Sequence, residues 1–140
     1  IHLTDEHIQK FAKSKTVAVL LPAADLYMKC AYPPARKLLD AKATVVLATD
    51  FNPGSCPTQD LSLVGLLARL EMKMTLPEVF TAYTSSAAKA LGIFDEEGDF
   101  SLGKRANFIC TESSLSDFFY SAGATPDHSL FICGRQIKTT

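Results

Sequence analysis

The sequence predicts an α/β fold, and three observations carry the prediction. Two short apolar runs, TVAVLL at 16–21 and ATVVLATD at 43–50, are dense in Val and Leu, as in strands buried on both faces of a parallel sheet. A helical pattern opened by Pro33-Pro34 lies between them, which gives the strand, helix, strand order of a βα unit. After Gly92 the character changes: Gly98, Gly103 and Gly123 punctuate short apolar stretches at 106–110 and 129–134, the pattern of a small β portion.

Each element has a local reason. Thr4 ahead of Asp5 and Glu6 reads as an N-cap with first-turn acids, and Ile8, Phe11 and Ala12 recur at helical spacing, so residues 4–14 are expected as an amphipathic surface helix. The first strand stops at Pro22, and residues 23–32 read as a loop with a helical turn. The second helix opens at Pro33-Pro34 and runs through Ala41, because proline is tolerated in a first turn and Ala35, Leu38 and Leu39 form an apolar stripe. The strand at 43–50 leads into a loop at 51–59 that holds Pro53-Gly54 and Pro57. Helical periodicity resumes over 61–72, over 76–83 after the Thr75 cap, and over 85–91 up to Gly92. A boundary near residue 92 divides the chain into portions 1–92 and 93–140.

Composition excludes several classes. With 140 residues, 47% hydrophobic and 21% charged, the chain is long and apolar enough for a core and is not a disordered polypeptide. Lys+Arg 14 against Asp+Glu 15 leaves a net charge of -1, so neither nucleic acid nor an anionic membrane surface is the expected partner. No apolar run approaches the roughly 20 residues of a membrane span, and the N-terminal IHLTDEH is charged where a signal peptide would be apolar. Cys30, Cys56, Cys110 and Cys133 are scattered without a CxxC pair, which points to reduced thiols in a cytoplasmic protein. They read as small buried hydrophobes, with Cys56 the one candidate for a reactive thiol.

The segment that carries chemistry is Leu47-Ala48-Thr49-Asp50-Phe51-Asn52-Pro53-Gly54-Ser55-Cys56-Pro57-Thr58. An aspartate directly after a buried parallel strand is held on rigid scaffold at the mouth of the sheet, where barrels place catalytic groups. Spacing alone favours a plainer reading, a strand-end Asp making an Asx turn onto the Asn52 backbone. Pro53-Gly54 reads as a tight turn with φ > 0 at the glycine, a geometry that also lets backbone approach a ligand closely.

This segment resembles the last-strand loop of the imidazolonepropionase family, metal-dependent amidohydrolases of histidine degradation whose hallmark there is ATD-x-NPG-[ST]. Asp50, Asn52, Pro53, Gly54 and Ser55 match it position for position. The resemblance continues through TVAVLLP at 16–22, YPPARKLLDA at 32–41, SSAAKALGI at 85–93 and SLGKRANFI at 101–109. The AAKALG and LGK-x-A-[DN]-F elements are similar to those of many amidohydrolases, whereas VLLP followed by TDFNPGS is narrower.

The resemblance implies the C-terminal part of a (β/α)8 amidohydrolase barrel with part of a small β-sandwich domain. It implies hydrolysis of 4-imidazolone-5-propanoate to N-formimidoyl-L-glutamate, with one divalent ion, Zn or Fe. Asp50 is the matching metal ligand and the group that moves a proton from the attacking water to the leaving nitrogen. Asn52, Gly54 and Ser55 match positions that contact the small-molecule substrate or its ring-opened product through an amide, a backbone group and a hydroxyl. The full-length protein is expected to be a homodimer.

The rest of such a site is missing from the sequence. A metallohydrolase needs three or four ligands, usually including histidines, and there is no HxH pair and no HxxE acid. His2, His7 and His128 read as ordinary residues: His7 on the exposed side of a helix, His128 among turn residues. Ala23 stands where a glycine commonly follows VLLP, and Asn107 where an aspartate is common. The chain is therefore expected to be a C-terminal fragment, inactive alone, whose open sheet edges promote self-association or capture of a partner segment. The competing readings are a related amidohydrolase acting as a deaminase or on another ring amide, and an interaction module without catalysis that uses its exposed sheet face.

Overall fold

In chain order the elements are α1 (Asp5–Ala12), β1 (Val17–Leu20), α2 (Pro22–Met28), α3 (Ala35–Asp40), β2 (Thr44–Leu47), α4 (Leu61–Leu70), α5 (Leu76–Tyr83), α6 (Ser85–Leu91), β3 (Phe108–Cys110), a 3-10 turn (Leu115–Phe119), β4 (Ser129–Ile132) and β5 (Arg135–Ile137). They belong to a computed structural model that describes residues 3–137, so His2 lies outside the described residues.

Short polar side chains set the helix starts. Thr4 and His7 cap α1 reciprocally, the Thr4 hydroxyl accepting the His7 N–H and His7 Nδ1 accepting the Thr4 N–H, both at 3.3 Å. His7 is thus a capping residue. Asp60 accepts the Leu63 N–H at 3.0 Å to open α4, and Thr75 with Glu78 forms a second capping box for α5.

Segment 23–32, expected as a loop with a helical turn, instead contributes most of the helix α2. Pro22 occupies its first turn, and Lys29 ends it in the left-handed region at φ 54. The helix expected from Pro33 begins only at Ala35, with Pro34 as its N-cap. The strand expected over 43–50 stops at Leu47, because Asp50 turns into the left-handed region at φ 57.

β1 and β2 pair in parallel from Val17↔Thr44 to Leu20↔Leu47. β2 is buried on both faces as expected, whereas β1 is not: Val19 is 46% exposed. Among the described residues each strand has one neighbour only, so the outer edge of each is bare. Helices α3, α5 and α6 pack on β2, and Leu38, Val64 and Val79 form the fully buried centre of the core.

Beyond residue 92, β3, β4 and β5 form an antiparallel sheet. The apolar stretch at 129–134 holds the first arm of a hairpin and its turn. Cys133 and Gly134, both at positive φ (49 and 74), make its two-residue turn. Asn107 braces that turn, accepting the Cys133 N–H at 2.8 Å and donating to Glu97 Oε1 at 3.1 Å. The 3-10 turn reaches back onto α4, where Phe118 and Phe119 pack with Phe80 and Tyr83.

The reading of the cysteines as buried hydrophobes holds for Cys56, which has no exposed surface, but Cys30, Cys110 and Cys133 are exposed. Cys133 is drawn out by its turn, and Cys110 ends a short strand on which Ile109 is exposed as well. A wholly buried Cys56 has no access to reagents, which removes the basis for a reactive thiol there.

An ion pair joins α3 to α5: Arg36 reaches Glu78 through two bonds at 2.8 and 2.9 Å. Hydrogen bonding from Arg36, aided by the Thr75 N–H, holds the Glu78 carboxyl at about 2 against an ordinary 4.5. A carboxyl depressed in the folded state stabilises above its unfolded pKa and loses that contribution as pH falls through its folded one. Stability from this pair is expected to fade between about 4.5 and about 2. The Glu78→Gln variant is expected to be about 1–2 kcal/mol less stable at neutral pH and to lose less across that acid window. Urea unfolding of both proteins as a function of pH checks this.

Candidate active site

The loop after β2 gathers all four motif residues. The chain leaves the sheet through Ala48, whose N–H still bonds to the Leu20 carbonyl at 3.2 Å. Thr49 then accepts the Phe51 N–H at 3.3 Å, and Asp50 takes its positive φ. Asp tolerates that conformation better than most residues. Its carboxylate is exposed and, among the described residues, takes no hydrogen bond or ion pair.

Asn52 organises the remainder of the loop. Its Oδ1 accepts the N–H groups of Gly54 and Ser55, each at 2.8 Å. Its Nδ2 donates to the Asp50 carbonyl at 2.7 Å and to Ser55 Oγ at 2.9 Å. Asn52 and Cys56 also exchange backbone bonds at 3.0 and 3.3 Å, closing the loop into a small antiparallel bridge. The buried Cys56 side chain pins the far end to the core.

The expected positive φ at Gly54 is not found. The left-handed residue of this loop is Asp50, and Gly54 is held by the Asn52 side chain standing in for a backbone acceptor. The expected Asx turn of Asp50 onto the Asn52 backbone is not formed: the Asx turn of this loop is made by the Asn52 side chain, and Asp50 contributes only its carbonyl. Sequence reasoning missed Thr49 and Asp60 as local organisers. The signal for both was present, a hydroxyl or carboxylate two or three residues ahead of the N–H it accepts.

As to metal, an exposed carboxylate without a protein partner, fixed at the end of a buried strand, suits one ligand position of a divalent ion. It does not make a centre alone: among the described residues no group of three His, Cys, Asp or Glu side chains is placed to hold an ion. His128 sits far along the chain in the small β portion, its Nδ1 2.9 Å from the Pro126 carbonyl oxygen. An apolar cavity of about 730 Å³ lies elsewhere too, between α5, α6 and the small β portion, lined by Phe80, Tyr83, Leu91, Phe108 and Phe118 and by none of the four motif residues. Among the described residues no helix is long and apolar enough to cross a membrane.

Comparison with known proteins gives this loop its setting. The sequence profile described as "Amidohydrolase family" matches residues 1–137. The chain belongs to the amidohydrolase family. Among curated amidohydrolase relatives, the imidazolonepropionase of Bdellovibrio bacteriovorus is 50% identical over 140 residues, which is 100% of this chain and 33% of that protein. The imidazolonepropionase of Christiangramia forsetii is 39% identical over 137 residues, 96% of this chain and 33% of that one. The chain thus spans about a third of the length of the relatives it matches.

Solved amidohydrolase structures share the fold. A zinc-bound adenosine deaminase from Xanthomonas campestris superposes with a TM-score of 0.85 at 24% identity, covering 96% of this chain and 35% of that one. Atrazine chlorohydrolase from Arthrobacter aurescens, complexed with zinc, gives 0.84 at 21% identity, covering 97% and 34%. At these identities the likeness concerns architecture: an amidohydrolase barrel accounts for the parallel β1–β2 pair and its covering helices.

Proposed function

We propose that this chain is part of an imidazolonepropionase, which hydrolyses the cyclic amide of 4-imidazolone-5-propanoate to N-formimidoyl-L-glutamate. The observation that carries the reading is the 50% identity to the Bdellovibrio bacteriovorus imidazolonepropionase along all 140 residues, the TDFNPGS loop included. In this reading 1–92 is the C-terminal portion of the barrel, and 93–140 is part of a small β-sandwich.

Asp50 would hold one divalent ion, Zn or Fe, together with ligands from outside these 140 residues. Such an ion acts as a Lewis acid and lowers the pKa of water bound to it to about 7. The chain's own contribution is proton transfer: the Asp50 carboxylate takes a proton from water as its oxygen adds to the ring carbonyl carbon. The ring C–N bond then breaks, and Asp50 returns that proton to the departing nitrogen. Asn52, Gly54 and Ser55 form the side of the pocket that meets substrate and product. Holding one ligand and part of a pocket, the 140-residue chain alone is expected to be inactive.

Assay of the full-length protein against imidazolonepropionate tests the assignment. Opening of the ring supports it, while release of ammonia from an aminopurine in its place would assign a deaminase. We further propose a homodimer for the full-length protein. The isolated chain is expected to self-associate through the bare edges of β1 and β2, and a monodisperse monomer in light scattering at high concentration would refute that.

A further inference from the structure

Two side chains grip the peptide between Asp50 and Phe51, one at each end. Its oxygen, the Asp50 carbonyl, accepts from Asn52 Nδ2 at 2.7 Å, and its N–H, that of Phe51, donates to Thr49 Oγ1 at 3.3 Å. The bond to Thr49 closes a ring of atoms that includes both backbone torsions of Asp50. Asp50 stands at φ 57, in the left-handed region, which aspartate enters more readily than most residues but does not prefer. The upstream end of the ring is anchored too. The β1–β2 ladder extends through the Ala48 N–H to the Leu20 carbonyl at 3.2 Å, one residue before Thr49. Among the described residues the Asp50 carboxylate takes no hydrogen bond, so the direction in which it leaves the chain follows from the backbone.

We propose that Thr49 is a positioning residue that acts through Asp50. By accepting the Phe51 N–H, its hydroxyl oxygen keeps Asp50 left-handed and so fixes how the carboxylate projects from the end of the sheet. Without that acceptor the Asp50–Phe51 peptide keeps only its Asn52 bond and can rotate, and the aspartate relaxes toward the right-handed or extended regions. A reacting group displaced by about 1 Å can cost about 100-fold in rate. The fold itself has little at stake, because the Thr49–Phe51 bond is exposed and water can take its place. The inference rests on the reading of Asp50 as ligand and proton carrier.

The test compares Thr49→Val, which keeps the branched shape and removes the acceptor, with Thr49→Ser, which keeps the hydroxyl, both in the full-length, metal-loaded protein. Thr49→Val is expected to lower kcat for imidazolonepropionate about tenfold or more, with KM and thermal unfolding much less affected. Thr49→Ser should recover most of the lost kcat. Thr49→Val combined with Asp50→Asn should be no slower than Asp50→Asn alone, as for two residues that act as one unit. Wild-type kcat in Thr49→Val, equal losses in the Val and Ser variants, or multiplied losses in the pair would overturn the proposal. Amide exchange separates the clamp from the reaction: the Phe51 N–H should be protected in wild type and in Thr49→Ser, and exchange fast in Thr49→Val. Fast exchange in wild type would refute the clamp, whereas Thr49-dependent protection in a protein that does not open the ring would refute only the assigned reaction.

Discussion

Asp50→Ala in the full-length protein is expected to abolish hydrolysis of imidazolonepropionate by about 10³-fold or more and to weaken metal retention. The size reflects the two duties proposed for one carboxylate, ligand and proton carrier, neither of which has a substitute nearby. Among the described residues no group of three or more His, Cys, Asp or Glu side chains is placed to hold an ion. Alanine also has to adopt the left-handed φ of 57, so a backbone cost is mixed into that variant. Asp50→Asn separates the two, because asparagine tolerates the conformation and lacks only the charge. Turnover and metal content of both variants decide: equal, deep losses place the effect on the carboxylate, and undiminished turnover removes Asp50 from the mechanism.

The second large effect concerns stability. Gly65 lies buried within α4, where replacing glycine with alanine ordinarily gains about 1 kcal/mol of helix propensity. Here a Cβ would sit 2.3 Å from Cδ1 and 2.6 Å from Cε1 of Phe119. The ring has little room to retreat: it packs 5.0 Å from Phe80 and 5.7 Å from Tyr83 between centroids, and Arg69 donates to the Phe119 carbonyl at 2.9 Å. Expelling it forfeits about 2–3 kcal/mol of burial, which outweighs the propensity gain. Gly65→Ala is therefore expected to be about 2 kcal/mol less stable in urea unfolding. Adding Phe119→Leu should return part of the loss, and a stabilised Gly65→Ala would show that the ring is free to move.

The parallel pair, the second helix and the helices after the motif loop were legible because Val and Leu runs, prolines and caps each point to one structure there. α2 was not legible: Leu26, Tyr27 and Met28 are all exposed, so it has no apolar stripe of the usual kind. β5 was invisible for a related reason, since Arg135, Gln136 and Ile137 are exposed and alternate nothing. At the site, sequence located the loop and its acid but misassigned the strained position. A glycine after proline suggests positive φ, yet the Asn52 side chain turns the backbone without it and moves the unusual torsion to Asp50. Side-chain substitutes for backbone hydrogen bonds leave only a weak mark in residue order.

The β1–β2 pair also bears on the order of events in folding. Its register joins Val17 to Thr44 across two intervening helices, so the loop must close before any strand bond forms. With one neighbour per strand, that closure is repaid by a single ladder. The helices between the strands can form from local contacts within microseconds, while the pair waits for the chain to return. In a nascent chain β1 emerges first and stays unpaired until β2 follows it, and its Val17-Ala18-Val19-Leu20 run is the stretch a chaperone would be expected to hold during that interval.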